Sequence, residues 1–585
     1  MKKSTVKVGR LIFIVVSLTV VFVFLLGRLT YLMALHGSDY KKLALSRQQK
    51  TIELAPKRGD VVDRNGAPLA LSASAYRIDA DLSVLDTYLH DKKLSQAAVV
   101  SELSPLLGID QVQLTKTLNS VDSKGNPLEF VSIKRKVEKD TVDAVNALKL
   151  KGIIVSSDTK RIYPNGSFLA HVLGTTNIDG NGVSGVELSY NSDLQGKNGI
   201  KYVETDAHNS ALPYIDSTVV QPIDGKNIEL TIDERIQELA ERVAKETLEE
   251  NSAKSVSITI MDPKTGEILA LANYPGYDPN NPTQGASDSN AMQEMWKNSA
   301  ISNIFEPGSI FKVITAGAAL TYNAVPDGEI FQCNGSTKVA NITLRCDAPH
   351  GTQTFADIIK NSCNVGFIKV GSQIGKENFY DFVKQMNFGQ KSGVDLPGES
   401  AGIVGDIKKI GPVEFATNSY GQGVAVNQVQ YLAAFNAVAN GGTWIRPHAM
   451  KQIYHMEDDK KVLDREYSDY GKKTVMDSDK AAELRTYLEK VVDEGTSVET
   501  KIDGYRIAGK TGTANKVNLT NGGYEKGKYV SSFAGMAPTD DPKVTLIVTV
   551  EEPNPEKYFA AETAVPAAKK LFMELFSIMN IPPSK

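Results

Sequence analysis

The chain has 585 residues, of which 41% are hydrophobic and 23% charged, and its formal net charge is −4. This length is too great for one hydrophobic core, so we expect about two or three folded units. The small net charge argues against a nucleic-acid partner held by a general basic surface.

The N-terminus carries a membrane signal. Basic residues precede an uncharged apolar run over 11–26, and they are Lys2, Lys3, Lys7 and Arg10. Sixteen helical residues rise about 24 Å, and residues 30–35 extend the run toward a bilayer core of about 30 Å if Arg28 snorkels. A cleaved signal peptide is the alternative, but it usually has a shorter apolar region and a small-residue cleavage site. We predict a cytoplasmic tail over 1–10, a transmembrane anchor over 11–35 and an extracytoplasmic remainder.

Residues 36–225 form the next predicted unit, a β-rich pedestal with a helical insertion. The pattern predicts a juxtamembrane helix over 40–49 and a strand over 51–56. Asn65-Gly66 is typical of a tight hairpin turn. Helical spacing over about 82–155 predicts the insertion.

Residues 226–585 form the last predicted unit. A strand over 227–233 ends at Asp233, which can cap the following helix. Apolar strands over 255–261 and 267–272 are separated by a five-residue turn and must therefore pair antiparallel. Further strands are predicted over 505–508 with its continuation, 529–537 and 544–550, and a final helix over 567–579. The sequence therefore predicts an α+β multidomain protein.

A serine followed three residues later by a lysine can provide a nucleophile and its base, if burial or a cationic neighbour depresses the pKa of the lysine. The chain contains this spacing at Ser4/Lys7, Ser38/Lys41, Ser157/Lys160 and Ser309/Lys312. The first copy is predicted to be cytoplasmic, the second to lie beside the membrane and the third to lie in a polar loop. Only Ser309 opens an apolar helix, where its amide can bind an oxyanion.

Two further motifs can complete such a site. Ser362-Cys363-Asn364 offers a hydroxyl and a carboxamide, although a helix-capping turn is the alternative interpretation. Lys510-Thr511-Gly512-Thr513 continues a predicted strand, whereas the similar triplets at 264–266 and 391–393 are typical of turns.

The stretch 504–511 also matches the phosphate-binding pattern G-x-x-x-x-G-K-[ST]. A phosphate loop must lead directly into a helix, but residues 514–523 are predicted to form a polar turn. Nucleotide binding is therefore disfavoured.

In this order, Ser309-x-x-Lys312, Ser362-x-Asn364 and Lys510-Thr511-Gly512 resemble the active-site triplet of serine penicillin-recognising enzymes. Segments 58–66, 161–164 and 185–188 are similar to pedestal motifs of class B penicillin-binding proteins, and 262–270 and 419–423 to stretches of their transpeptidase domain. The resemblance implies a dimerisation-type pedestal over 36–225. It also implies a serine β-lactamase-like transpeptidase domain over 226–585, with an antiparallel sheet packed with helices. No glycosyltransferase domain is expected.

The resemblance implies a catalytic role for four residues. Ser309 would attack the D-Ala-D-Ala carbonyl of a cell-wall stem peptide, with Lys312 as general base. Ser362 would pass a proton toward the leaving D-alanine, with Lys510 beside it. β-Lactams would acylate the same serine because they mimic the D-Ala-D-Ala terminus.

The resemblance also implies the residues that bind substrate. Asn364 would hold the peptide amide, and Thr511, Gly512 and Thr513 would bind the terminal carboxylate. The backbone amides of Ser309 and Thr513 would form the oxyanion hole.

These roles imply a peptidoglycan D,D-transpeptidase in the cell membrane. Its implied partners are stem peptides, β-lactams, a membrane-embedded glycan polymerase and proteins of elongation, division or sporulation, with no nucleic acid. A D,D-carboxypeptidase, a membrane β-lactam sensor and a non-catalytic scaffold of the wall-synthesis complex remain alternatives.

The cysteines and histidines show no metal-site pattern. Cys333, Cys346 and Cys363 form no CxxC pair, and the seven histidines include no HExxH and no pair at helical spacing. We therefore expect no metal and no cofactor. A disulfide between Cys333 and Cys346 is left open, and Cys363 is expected to face the core.

Overall fold

The computed structural model describes residues 8–37, 40, 49–204, 219–467, 471–518 and 522–584. Contacts within the chain divide it into two units. The first comprises Met1–Pro56 and Lys197–Asp224, and the second comprises Lys57–Gly196 and Gly225–Lys585.

The described helices are α1 (Val8–Thr30), α2 (Leu82–Lys92), α3 (Gln96–Leu107), α4 (Gln111–Leu118), α5 (Lys139–Ala147), α6 (Ala170–Leu173), α7 (Gly185–Ser189), α8 (Asn191–Leu194), α9 (Glu234–Asn251), α10 (Ser289–Trp296), α11 (Ser299–Ser302), α12 (Lys312–Thr321), α13 (Phe355–Lys360), α14 (Asn364–Ile374), α15 (Lys376–Gln385), α16 (Pro412–Asn418), α17 (Gln428–Ala439), α18 (Ser478–Glu494) and α19 (Ala564–Ile578).

The described strands are β1 (Gln49–Leu54), β2 (Val61–Val62), β3 (Pro68–Asp81), β4 (Phe130–Val137), β5 (Ile153–Ile162), β6 (Gly199–Glu204), β7 (Val219–Val220), β8 (Asn227–Leu230), β9 (Ser255–Met261), β10 (Ile268–Tyr274), β11 (Phe331–Cys333), β12 (Ser336–Val339), β13 (Ile342–Arg345), β14 (Gly351–Gln353), β15 (Thr443–Ile445), β16 (Met450–Glu457), β17 (Lys460–Glu466), β18 (Lys472–Thr474), β19 (Ala508–Val517), β20 (Tyr524–Ala537) and β21 (Val544–Glu551).

The first unit contains the membrane-type helix and a small sheet. Helix α1 continues through a π-helical turn, and the 27 residues Val8–Ala34, which include an 18-residue stretch with a mean hydropathy of 2.6, are long and apolar enough to cross a membrane. Strands β1, β6 and β7 form an antiparallel sheet. The strand predicted over 51–56 is confirmed. The juxtamembrane helix predicted over 40–49 lies largely outside the described residues, as do Ser4/Lys7 and Ser38/Lys41.

A seven-stranded sheet forms one part of the second unit, with the order β17-β16-β8-β2-β3-β4 and with β5 paired to β3. The predicted turn at Asn65-Gly66 is confirmed, because it joins β2 to β3 and the Asp63 carboxylate accepts bonds from the amides of Asn65 and Ala67. Helices α2 to α5 form the predicted insertion around their own apolar cluster. The polar loop predicted at Ser157/Lys160 is wrong. These residues lie in β5, which pairs with β3 along its whole length.

A buried ion group joins three segments that the sequence analysis singled out. The Glu187 carboxylate accepts hydrogen bonds from Nε of Arg58 at 2.7 Å and from Nε of Arg161 at 2.6 Å. Arg161 also donates to the carbonyl of Gly59 at 2.7 Å. Glu187 is 0% exposed. Segments 58–66, 161–164 and 185–188 therefore meet at one carboxylate that bridges two guanidinium groups.

A five-stranded antiparallel sheet forms the other part of the second unit, with the order β10-β9-β21-β20-β19. The antiparallel hairpin of β9 and β10 was predicted and is confirmed, as is the cap of α9, where Asp233 accepts a bond from the Arg235 amide. Helices α9 and α19 cover one face of the sheet. The fully buried helix α17 packs on the other face, so the sheet lies inside a three-layered core. Strand β19 is at the edge.

The predicted α+β fold class is confirmed, with an apolar N-terminal helix and an antiparallel sheet packed with helices. The predicted boundary between residues 225 and 226 falls beside β8, which pairs in parallel with β2. One sheet therefore contains strands from both sides of that boundary, and the boundary stays a prediction.

Candidate active site

Ser309 lies in a single 3-10 turn, Gly308–Phe311, directly before α12. Gly308 has φ of +53°, a left-handed conformation that glycine adopts at little steric cost. Residues Lys312–Leu320 of α12 are all buried, whereas Ser309 is partly exposed. The prediction that Ser309 begins an apolar helix is confirmed.

The segment 419–423 holds this turn in place. The Gly308 amide donates to the Gly421 carbonyl at 3.0 Å, and Tyr431 Oη donates to the Ile310 carbonyl at 2.7 Å. A Cβ atom on Gly421 would lie 2.0 Å from the Gly308 oxygen, and Gly421 has φ of +90°. Only glycine lets the two backbones approach this closely. Segment 419–423 therefore supports the turn that contains Ser309.

Lys312 lies at the centre of the group and is 1% exposed. Its Nζ is 3.1 Å from Ser309 Oγ and 3.1 Å from Ser362 Oγ. It donates to the Ser362 carbonyl at 2.5 Å and to Asn364 Oδ1 at 2.6 Å. Burial lowers the pKa of Lys312 to about 8, although the negative charges of Cys346 and Asp347 partly oppose this shift. A substantial fraction of the amine is therefore neutral near physiological pH.

Ser362 and Asn364 occupy the tight turn that begins α14. Ser362 has φ of +55°, a left-handed conformation that costs about 1–2 kcal/mol for a residue with a Cβ. Cys363 caps α14, since its sulfur accepts a hydrogen bond from the Gly366 amide at 3.3 Å. Asn364 Nδ2 donates to the Arg345 carbonyl at 3.2 Å. The alternative interpretation of this tripeptide as a helix cap is thus also correct, and the cap directs both polar side chains toward Lys312.

Lys510 approaches Ser362 from the edge strand β19. It is 0% exposed, and its Nζ lies 3.0 Å from Ser362 Oγ. Burial, followed by the nearby charge of Lys312, holds the pKa of Lys510 well below its usual range. The contacts therefore run without interruption from Ser309 Oγ through Lys312 and Ser362 to Lys510.

The structure excludes the phosphate-loop interpretation, because the residues after Lys510-Thr511 continue a β-strand and do not begin a helix. The predicted polar turn over 514–523 is wrong at its start, because β19 stays paired with β20 from Ala508↔Met536 to Val517↔Tyr524. The strand predicted over 505–508 begins only at Ala508, since Tyr505 turns away and stacks on Phe576. The similar triplet at 264–266 lies in the β9–β10 turn and that at 391–393 lies in a loop, both as predicted.

The edge strand also passes very close to the Ser309 turn. A Cβ on Gly512 would lie 2.7 Å from the Pro307 carbonyl oxygen. The Thr511 and Thr513 hydroxyls already have partners, because Thr511 Oγ1 lies 2.9 Å from Thr496 Oγ1 and the Ala560 amide donates to Thr513 Oγ1 at 3.0 Å. Sequence reasoning missed Thr496, which lies in no recognisable motif. Carboxylate binding by Thr511, Gly512 and Thr513 and the oxyanion hole stay predictions.

Two protein-family models match this chain. Residues 256–573 match the family model described as penicillin binding protein transpeptidase domain. Residues 53–230 match the model described as penicillin-binding protein dimerisation domain. The chain belongs to the penicillin-binding proteins. The predicted resemblance to class B members is confirmed.

Relatives of this penicillin-binding protein match it over nearly its whole length. The stage V sporulation protein D of Bacillus subtilis is 33% identical, over 100% of this chain and 88% of that protein. The probable peptidoglycan D,D-transpeptidase PenA of Neisseria gonorrhoeae is 32% identical, over 100% of this chain and 95% of its own length. The crystal structure of penicillin binding protein 3 from Mycobacterium tuberculosis, complexed with ampicillin, superposes with a TM-score of 0.67 at 25% identity. That superposition covers 91% of this chain and 97% of the solved one.

The cysteines of this penicillin-binding protein answer the question that the sequence left open. All three are free, so Cys333 and Cys346 form no disulfide. Cys346 Sγ instead lies 3.9 Å from Cys363 Sγ and 3.6 Å from His350 Nδ1. Cys363 is fully buried, as predicted. The four possible metal-ligand atoms of Cys333, Cys346, His350 and Cys363 all lie within 4.8 Å of one another. The sequence analysis did not predict this group, although Cys346-x-x-x-His350 is a short spacing between two possible ligands.

Proposed function

We propose that this penicillin-binding protein is a peptidoglycan D,D-transpeptidase that crosslinks stem peptides through an acyl-enzyme on Ser309. The observation that carries the proposal is the unbroken set of contacts from Ser309 Oγ through Lys312 Nζ and Ser362 Oγ to Lys510 Nζ. The family models and the names of the relatives support the same reaction.

Acylation begins when neutral Lys312 takes the Ser309 proton and Oγ attacks the carbonyl carbon of the penultimate D-alanine. The depressed pKa of Lys312 makes the neutral amine available. Negative charge then develops on the carbonyl oxygen. The backbone amides of Ser309 and Thr513 stabilise it, because the turn and the edge strand lie side by side.

Departure of the terminal D-alanine needs a proton on its nitrogen. Ser362 donates this proton and recovers one from Lys312, and Lys510 lies on its far side at 3.0 Å. An amine of a second stem peptide then attacks the ester carbonyl, loses its proton through the same groups and restores Ser309. The new amide is the crosslink.

The substrate peptide is proposed to lie along β19. This strand is at the edge of its sheet, so its outer backbone groups can pair with an extended peptide. Asn364 would hold the peptide amide, and Thr511, Gly512 and Thr513 would bind the terminal carboxylate. β-Lactams would occupy the same position, in keeping with the ampicillin complex of the mycobacterial protein.

The proposed location is the cell membrane, with the N-terminus cytoplasmic and the catalytic domain outside, because basic residues precede the apolar helix. The helix and the region matching the dimerisation model are proposed to contact a membrane-embedded glycan polymerase and proteins of elongation, division or sporulation. The proposed functional division is 36–225 for the pedestal and 226–585 for the transpeptidase.

The test is covalent labelling of the full chain, in detergent, with a fluorescent penicillin, followed by mapping of the labelled peptide. We expect label on Ser309 and none in Ser309→Ala. Ser157→Ala is the matched control, since Ser157 has the same spacing to a lysine but lies on strand β5, and it should label like the wild type. Label retained by Ser309→Ala, or found on another serine, would overturn the assignment. Incubation with donor and acceptor stem peptides then separates a transpeptidase, which forms crosslinked dimers, from a carboxypeptidase, which releases D-alanine only.

A further inference from the structure

We propose that Cys333, Cys346, His350 and Cys363 together bind one zinc ion beside the Ser362–Asn364 turn. This inference goes beyond the proposed function, and it concerns residues to which the transpeptidase reaction assigns no role.

The spacing of the four ligand atoms fits a tetrahedral zinc site. With Zn–S bonds of about 2.3 Å and a Zn–N bond of about 2.0 Å, neighbouring ligand atoms lie roughly 3.5–3.8 Å apart. Cys346 Sγ is 3.9 Å from Cys363 Sγ and 3.6 Å from His350 Nδ1, and all four atoms lie within 4.8 Å. A disulfide requires the sulfurs to be about 2.05 Å apart, so the present arrangement is closer to a metal site than to a bridge.

The fold assembles this group from distant parts of the sequence. Strand β11 pairs with β14 so that Cys333 lies opposite Gly351, and the His350 amide donates to the Cys333 carbonyl at 3.1 Å. The hairpin of β12 and β13 then brings the chain back beside Cys333. At its end, the Cys346 amide donates to the Gly335 carbonyl at 2.9 Å. Cys363 is added from the N-terminus of α14. Backbone hydrogen bonds therefore position Cys333, Cys346 and His350, and the start of α14 positions Cys363.

Backbone amides donate hydrogen bonds to two of the sulfurs, and the thiolate is the form of cysteine that binds metal. Cys346 Sγ accepts a hydrogen bond from the Asn364 amide at 3.2 Å, and Cys363 Sγ accepts one from the Gly366 amide at 3.3 Å. The side chain of Gln353 lies beside Cys363, and its buried nitrogen has no hydrogen-bond acceptor among the described residues. A thiolate at Cys363 would provide that acceptor, as the outer-shell partners of metal ligands commonly require.

The ligand set selects zinc over other ions. Three sulfurs and one imidazole in a tetrahedron are a common structural zinc set, whereas magnesium and calcium prefer oxygen ligands. A separation of at most 4.8 Å leaves room for a single ion. Cys333 and Cys363 are buried, but Cys346 and His350 are partly exposed, so the ion can enter from the solvent side.

The position of the ion would matter for the active site. Cys363 lies between Ser362 and Asn364, both of which contact Lys312. Ser362 is held in a left-handed conformation that its own side chain does not favour. Through Cys363, the metal would fix this turn against the β12–β13 hairpin, so all four ligands are positioning residues rather than catalytic ones.

The test is the metal content of the full chain, purified in detergent without chelator and measured by mass spectrometry of the elements. We expect one zinc per chain in the wild type and almost none in Cys363→Ser. His350→Ala should lose most of the zinc, whereas His350→Cys should retain it, because a fourth thiolate also completes a zinc site. His455→Ala is the matched control, since that imidazole bonds to Asp464 on a different sheet, and it should keep one zinc.

Replacement of the zinc by cobalt provides a geometric readout that a general loss of folding would not reproduce. Tetrahedral thiolate coordination gives an intense visible spectrum, which should be present in the wild type and in His350→Cys and absent from Cys363→Ser. A chain that takes up no zinc from excess zinc chloride would overturn the proposal. A chain whose native form contains a Cys346–Cys363 disulfide by intact mass would overturn it as well. Since no substrate is involved, neither result bears on labelling of Ser309.

Discussion

Two pairs of buried cations in this protein differ in their hydrogen-bond partners. Arg58 and Arg161 both bond to the carboxylate of Glu187, which is itself fully buried. Lys312 and Lys510 are also buried, but their hydrogen bonds go to hydroxyl, carbonyl and amide oxygens, and they share the Ser362 hydroxyl. The first pair joins three segments of the chain, and the second pair lies beside the proposed nucleophile.

The difference lies in the counter-ion. Burial lowers the pKa of Arg58 too, but the Glu187 carboxylate opposes this shift. A guanidinium stays charged at physiological pH, and the charged pair resists separation. A buried amine that meets mostly neutral oxygens and another amine gives up its proton more easily, which is the origin of the depressed pKa values of Lys312 and Lys510. Burial therefore gives a structural ion group at Glu187 and a proposed base at Lys312.

The largest expected effect comes from removing the base. Lys312→Met keeps a similar side-chain volume but has no amine, so the rate constant of acylation by a labelled penicillin should fall about 10²–10⁴-fold. Stopped-flow or quenched labelling of the full chain measures this constant. Lys245→Met, on the exposed side of α9, is the control and should react like the wild type. A decrease of less than tenfold would show that Lys312 is not the base.

The second effect comes from removing the structural counter-ion. Glu187→Gln leaves two buried guanidinium groups without a carboxylate and should lower the free energy of unfolding by about 3–5 kcal/mol. Chemical denaturation followed by intrinsic fluorescence provides the measurement. Glu238→Gln, at an exposed position of α9, should change this free energy by no more than about 0.5 kcal/mol. Equal stability of the two variants would remove the distinction between the two cation pairs.

The smallest expected effect is that of pH. Because the pKa of Lys312 is lowered to about 8, its neutral fraction should rise about tenfold between pH 7 and pH 9, and the acylation rate constant should rise with it. Lys510, Cys346, Asp347 and Cys363 are the titratable neighbours that act on this lysine. The residual rate of Lys312→Met should not follow this curve. A rate constant that falls with pH over this interval would contradict a neutral lysine base.

Much of the fold was predictable because local patterns agree with it. The apolar N-terminal helix, the hairpin of β9 and β10, the Asp233 cap and the apolar helix after Ser309 all follow from spacing within a few residues. Errors occurred where distant pairing decides the structure. Ser157 and Lys160 look like a loop but are paired with β3, and residues 514–517 look like a turn but are paired with β20.

The sequence by itself determined the family and the candidate residues, since Ser309, Lys312, Ser362, Asn364 and Lys510 stand in motifs that can be read without coordinates. Only the tertiary structure decided which buried cations have a carboxylate partner, because that depends on residues more than 100 positions apart, such as Arg58 and Glu187. It also brought Cys333, Cys346, His350 and Cys363 together, where their spacing along the chain indicated no metal site. Burial and charge are properties of the assembled core, and they determine the protonation of Lys312 and the proposed zinc ligands.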